Sequence, residues 1–390
     1  SPSVAVRPYT GVMAGVNAIY DISFTGKLRG RKNSEVFMGR LSLNDPSNPI
    51  TYPESTDEVL APDSESGLFR ARGVDWLVDA THPVTLQIRN NLGAVAAIET
   101  PGSRRLDANT GLIVFDTTLG GKAYIAPKMG TVRLTTGLPL STQQLILSYT
   151  PRFLRVSVGT TAGYSGVSQF QDLRSDGVSF GPGGVPVNTK YWARPNNSGI
   201  VAGDNPRVHR FFLSYNRAAA GAGQAARPFM KTMRYGVQLP YQIFTDQNGN
   251  LLRGPGTPSI QVAGANDFFQ VDPVKGRVYF SGVDEDDVVT ITFNGVDQST
   301  GQPTGVGGNP NNPFVVQARV TLVSEMDEGP VPIEQAVNES NLIAFPDPFD
   351  NPAFPRPNLI WMFWSSTRGG SPDLYFQTIA PRFAPQPSGN

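Results

Sequence analysis

The sequence predicts an all-β chain with minimal helix, assembled from sandwich-like modules and propeller-like hairpins, and three observations carry that prediction. Apolar residues fall in short runs rich in Val, Ile, Leu, Thr, Phe and Tyr, each bounded by Gly, Pro, Asn or Asp. The 41 glycines and 34 prolines among 390 residues leave few stretches long enough for a helix. Two hairpin-like patterns recur along the chain, and recurrence of short strand units is how modular β architectures announce themselves.

In chain order, the N-terminal "SPSVAVRPYTG" alternates around Val4 and Val6 and is bracketed by Pro2 and Pro8. It reads as an edge strand able to add to a neighbouring sheet, with prolines that limit runaway pairing. The stretch "FTGKLRGRKNSEVFMGRL" follows, in which Phe24 enters a turn, Arg29-Gly30 sit in it, and Glu35-Val36-Phe37 leave it. Runs such as Val84–Ile88, Thr131–Thr135 and Val288–Phe293 alternate faces as half-buried strands do. A second pattern, Asp-x-x-x-Gly-x-x-x-Phe, occurs at Asp107–Phe115 and Asp272–Phe280, and Pro127–Leu134 keeps its Pro-x-x-Gly-x-Val part. Its physical content is a glycine in a left-handed turn that launches a strand. The first pattern returns in degraded form from Phe212 through Arg217 to Phe229, with an alanine-glycine loop inserted. It returns clearly in "FWSSTRGGSPDLYFQTI" near the end of the chain.

The expected layout is therefore an N-terminal β segment, 1–60, carrying a hairpin and available to pack with 190–250 and 335–390. Sandwich-like modules are expected at 74–160 and 255–325, and a C-terminal β segment with the last hairpin at 335–390. The Gly301–Pro313 run reads as a long hairpin loop or an exposed arm, and Phe345–Pro357 as a proline-rich strap. One helix is expected, Pro332–Asn338.

The last hairpin resembles the TolB-type β-propeller repeat. The roles of that repeat would fall on Phe363, Ser366, Arg368, Gly370, Asp373, Leu374 and Tyr375. In the N-terminal copy they would fall on Phe24, Arg29, Glu35, Val36 and Phe37. In that family the arginine and the acidic residue mostly brace the blade turn, so the resemblance implies architecture rather than chemistry. A closed propeller needs four to eight blades, and the chain offers two clear copies and one degraded one. An open sheet or sandwich built from similar hairpins is the expectation.

Composition narrows the functional classes. The 32 basic residues balance 32 acidic ones, so nothing electrostatic directs the chain to nucleic acid or an anionic membrane. No apolar stretch approaches the roughly 20 residues that span a bilayer, so membrane insertion is not expected. There is no cysteine, and the histidines are His82 and His209. Catalysis by either needs a serine or carboxylate within hydrogen-bond reach; "GYSGVS" around Ser165 lacks the nucleophile-elbow spacing. Hard-oxygen clusters that could hold calcium are Asp246, Asn248 and Asn250, better read as a tight turn, and Asp284 with Asp286, better read as a hairpin tip. Asn196-Asn197-Ser198 and Asn338-Glu339-Ser340 fit the N-glycosylation pattern. On the last hairpin, alternation puts Trp361, Phe363 and Tyr375 on one face and Trp364 with Phe376 on the other, facing outward as an interface.

No catalytic, cofactor-binding or firm metal residues emerge. Val4, Val6, Trp364 and Phe376 are the assembly candidates. The reading is a structural subunit of an extracellular fibre, filament or surface layer, forming a homo-oligomer or polymer. The Ser-Pro-Ser start fits removal of a signal peptide. A carbohydrate-binding adhesin that meets cell-surface glycan through exposed aromatics, and a glycoside hydrolase or polysaccharide lyase, are the alternatives.

Overall fold

A computed structural model describes residues 2–8, 18–29, 31, 33–42, 49–63, 65–90, 93–136, 143–157, 163–172, 192–193, 208–218, 226–252, 259–264, 268–281, 287–331, 340–346 and 359–379. Among these the fold is antiparallel β throughout, and helix is limited to the single 3-10 turns Pro127–Met129 and Val306–Gly308. The expected helix at 332–338, most of the proline strap, both glycosylation motifs in part or whole, and Asp284 with Asp286 lie outside the described residues.

Each of the three arginine hairpins belongs to a meander sheet. In the first meander, Ser3–Pro8 pairs with Ala18–Gly26, which pairs with Glu35–Ser42. The fourth strand is the C-terminal half of Gln143–Arg155, which pairs with Glu35–Ser42 through Phe153, Leu154 and Arg155. In the second, Tyr164–Asp172, Arg210–Arg217 and Arg227–Gln238 run in order, and Thr321–Pro330 pairs along Arg227–Gln238 as the fourth. The third comprises Ser340–Pro346, Ile360–Ser366 and Asp373–Ile379. The degraded hairpin is thus as complete a structural unit as the two clear copies.

Between the third and fourth strands of the first and second meanders the chain makes a detour. The first detour builds a six-stranded sheet, including Ile113–Asp116, Lys122–Ala126 and Thr131–Leu134. That sheet packs its apolar face on Thr85–Asn90 and the N-terminal half of Gln143–Arg155. The second builds a three-stranded sheet from Ile260–Ala263, Val288–Phe293 and Phe314–Arg319, which shares a core with the second meander. Within the Gly301–Pro313 run, Pro303–Thr304 pairs back on Gly295–Val296, so this segment is folded rather than an extended arm.

The recurring glycine pattern has the expected conformational cause. Gly111, Gly130 and Gly276 have φ of 68°, 60° and 61°. A Cβ on Gly130 would sit 2.2 Å from the Gly73 carbonyl oxygen, and one on Gly276 equally close to that of Tyr241. A side chain is excluded at these two positions both by conformation and by contact. The aspartate that opens each Asp-x-x-x-Gly unit caps its own turn. Asp107 accepts from the Asn109 N–H at 2.9 Å, and Asp272 from the Lys275 N–H at 3.0 Å.

The meanders stack face on face. The face of the first that carries Asp21 and Ser23 meets the second: Gln171 Nε2 donates to Asp21 at 2.7 Å, Ser23 bonds Gln169, and the Gln169 N–H donates to Ser3 Oγ at 2.9 Å. The second meets the third through Phe170, Phe212 and Met230 on one side and Leu342, Ala344, Met362 and Trp364 on the other.

Candidate functional site

Stacking three sheets leaves two outward faces, one at each end, and residue parity decides what they carry. In the first meander, cross-strand pairing puts Val4 beside Ile22, and Val6 beside Tyr20 and then Leu41, on the face turned away from the second meander. Val4 is 51% and Val6 61% exposed. Phe24 lies on the same side, edge-on to Phe153 with ring centroids 5.7 Å apart. In the third meander, Phe345 pairs with Trp361, Ile343 with Phe363, and Phe363 with Phe376. Ile343, Leu374 and Phe376 are 58%, 74% and 61% exposed. Each end of the stack therefore presents an apolar sheet face, a feature that marks interaction surfaces in folded proteins.

This geometry corrects two expectations. Ser3–Pro8 pairs with Ala18–Gly26 of its own chain, so Val4 and Val6 belong to a sheet face rather than to a donated strand. Trp364 is 2% exposed and packs against the second meander. The hairpin register pairs Phe363 with Phe376 and Trp364 with Tyr375, so Trp361 and Phe363 face outward with Phe376, and Tyr375 lies on the Trp364 side. Within the turn, the Arg368 guanidinium lies 4.6 Å from the Tyr375 ring centre and Arg368 Nε donates to Ser366 Oγ at 3.0 Å.

The outward rings stand against one another. Trp361 and Phe376 are 5.6 Å apart with planes 7° from parallel, Phe345 and Phe363 5.4 Å and 15°, Phe363 and Phe376 5.7 Å and 24°. These separations and angles are those of offset, near-parallel ring pairs.

The other candidate positions are local. Asp246 Oδ1 accepts from the N–H groups of Asn248 and Asn250 at 2.9 and 2.7 Å, and its Oδ2 from Asn250 Nδ2 at 3.1 Å. The carboxylate thus organises its own turn with donors occupying both oxygens. No cluster of three or more His, Asp or Glu with metal-binding geometry occurs among the described residues. His82 sits in an exposed turn where its Nδ1 is 2.9 Å from Asp79, and contacts with Thr81 and His82 hold the Asp79 carboxyl well below the usual range. His209 bonds Gln171 at 2.9 Å and stacks on Phe211 at 4.7 Å, a packed position. Ser165 lies at a bulge of the Tyr164–Asp172 strand.

One feature had no signal in the sequence. A cleft of about 970 Å³ opens between the first detour, the Gln143–Arg155 strand and the outer strands of the second meander. Eight cationic and five acidic side chains line it. Lys231, 6% exposed, comes from the middle of Arg227–Gln238 and donates to the Val156 carbonyl at 2.9 Å. Burial, then the charge of Arg72, lowers its ammonium pKa to about 8.

Comparison with known proteins returns no match: no family model, no curated protein and no solved structure is similar to the chain.

Proposed function

We propose that the chain is a structural subunit of an extracellular assembly, and that it self-associates by stacking the outer face of its third meander on the outer face of the first meander of a second copy. The observation that carries this reading is the pair of apolar end faces, one centred on Val4 and Val6 and the other on Phe376. The interface between the second and third meanders supplies the template, since it already joins sheets of the same build through aromatic and aliphatic side chains. Such contacts are heterologous, so they produce a chain or a ring rather than a closed pair. The cysteine-free, charge-balanced composition fits an exported setting. No helix among the described residues is long and apolar enough to cross a membrane.

The contact is modest in size. Three strands about 4.8 Å apart and seven residues long at about 3.3 Å each give a footprint of roughly 14 by 23 Å. A footprint of about 320 Å² a side lies below the range of stable interfaces, so association through it is expected to be weak and to need high concentration. Sedimentation velocity over a concentration series tests the reading with Phe376→Asp and Val6→Asp. Each variant alone is expected to stay monomeric, because each lacks one of the two complementary ends. Their equimolar mixture is expected to stop at dimers, joined through the intact end of each. A Val6→Asp variant that associates like the parent chain overturns the head-to-tail reading, and a parent chain that stays monomeric at high concentration overturns self-association itself.

A further inference from the structure

The cleft carries an inference independent of the end faces. Its floor places two cations where the protein gives them little to bind. Lys231 has three N–H donors, and among the described residues its hydrogen-bond acceptor is the Val156 carbonyl. Arg72 is the strongest charge acting on Lys231, and the two are of like sign. Arg72 Nη2 donates to the Leu322 carbonyl at 2.6 Å, and its remaining guanidinium N–H groups have no protein acceptor among the described residues.

The acids nearby are committed elsewhere. Asp327 holds Lys275 at 2.7 Å and Arg277 at 2.9 Å. Glu328 accepts from Tyr164 and Tyr215, each at 2.9 Å, and pairs with Arg217 at 3.1 Å. Glu58 takes the Arg72 backbone N–H at 2.6 Å and the Tyr149 hydroxyl at 2.5 Å. Burying an ammonium beside a guanidinium is costly unless an anion shares the site. The cleft is of the size that holds small ligands, which range over about 300–1,000 Å³.

We propose that this cleft binds a small anionic ligand, with its carboxylate, sulfate or phosphate group seated between Lys231 and Arg72. The guanidinium offers its remaining N–H groups to the oxygens of such a group, and the ammonium adds a point charge to one of the same oxygens or, in a sulfate or phosphate, to a third. The other charged groups acting on Lys231 are Asp327 and Glu328, which favour its charged form, and Arg277, which opposes it; Asp327 pairs with Arg277, and Glu328 with Arg217.

Isothermal titration calorimetry of the full chain with inorganic phosphate, inorganic sulfate, glucuronate and, as a neutral control, glucose tests the proposal. At least one anion is expected to bind and glucose is not, and which anion binds distinguishes the three chemistries. Lys231→Met and Arg72→Gln are expected to weaken that anion at least tenfold. Arg72→Gln decides the matter if Lys231→Met fails to fold. Binding near pH 8 is expected to take up a fraction of a proton, because an anion beside the ammonium raises its pKa. The uptake is read from the dependence of the heat on the buffer's ionisation enthalpy, and affinity is expected to fall as pH rises above 8. Failure of all three anions to bind the parent chain overturns the proposal. So does equal binding by folded Arg72→Gln.

Discussion

Truncating Phe376 to alanine separates an interface role from a folding role, because the structure assigns this ring little part in holding the monomer together. A phenylalanine side chain offers about 200 Å² of surface. With 61% exposed, roughly 120 Å² of it faces out. At about 25 cal/mol per Å², covering that area in an assembly contributes about 3 kcal/mol. The retained Cβ reduces the loss on truncation to about 2–2.5 kcal/mol, which corresponds to a dissociation constant weaker by roughly 30- to 70-fold. The monomer loses the contacts of this ring with Trp361 and Phe363, about 1 kcal/mol. Sedimentation velocity gives the association constant and urea unfolding the stability, both on the same preparation. Unchanged association in a variant that folds like the parent refutes the assignment of this face. A stability loss of several kcal/mol would also count against it, by showing that the ring is core rather than surface.

Other variants probe the interior. Trp364→Ala removes a ring that is 2% exposed between the second and third meanders and is expected to cost about 3–5 kcal/mol in urea unfolding. Glu325→Ala leaves Arg210 and Arg234, bonded to it at 2.7 and 3.0 Å, as buried guanidiniums without their carboxylate. A loss of about 3–5 kcal/mol is expected by the same measurement. Gly276→Ala places a Cβ 2.2 Å from the Tyr241 carbonyl oxygen at a φ of 61° and is expected to lower the melting temperature by more than Gly102→Ala, where nothing lies within 4 Å. For Lys231 the folded ammonium pKa, lowered by burial to about 8, lies below its ordinary value of 10.5, so the unfolded chain binds more protons between those values and stability rises with pH across that window. The gain, read as the difference between parent and Lys231→Met, is expected to reach about 3 kcal/mol, and a difference that is flat from pH 8 to 10 contradicts the burial of this ammonium.

The all-β class was legible because alternation and turn residues are local signals, and the hairpins were legible because each closes within about 25 residues. The fourth strands of the first two meanders were not. Phe153–Arg155 reaches Glu35–Ser42, and Thr321–Pro330 reaches Arg227–Gln238, across entire inserted modules, and nothing in a short window records such a partner. The position of Trp364 was missed for a different reason. Alternation says which residues share a face, and only the turn register says which face of the neighbouring strand joins them. With Phe363 opposite Phe376, the indole turns inward. Lys231 gave no sign because its strand reads as an ordinary mixed β segment, and its burial comes from Val156, seventy-five residues away.

The placement of the inserted modules bears on what the stack can do. Both detours leave after the third strand of a meander and return as the fourth, so they hang from the outer edge of the sheets and not from their faces. A module inserted into the face-forming turns would cap the stack; one inserted at the edge leaves every face open to a neighbour. The chain thereby separates two tasks. The meanders stack in series through side chains that alternate inward and outward, and the proposed growth at either end would need no change to the modules. The modules vary in build, six strands in the first sheet and three in the second, without disturbing the stack. The proposed continuation of the stack would need an apolar face at both ends, and the exposed Val6 and Phe376 lie on those faces.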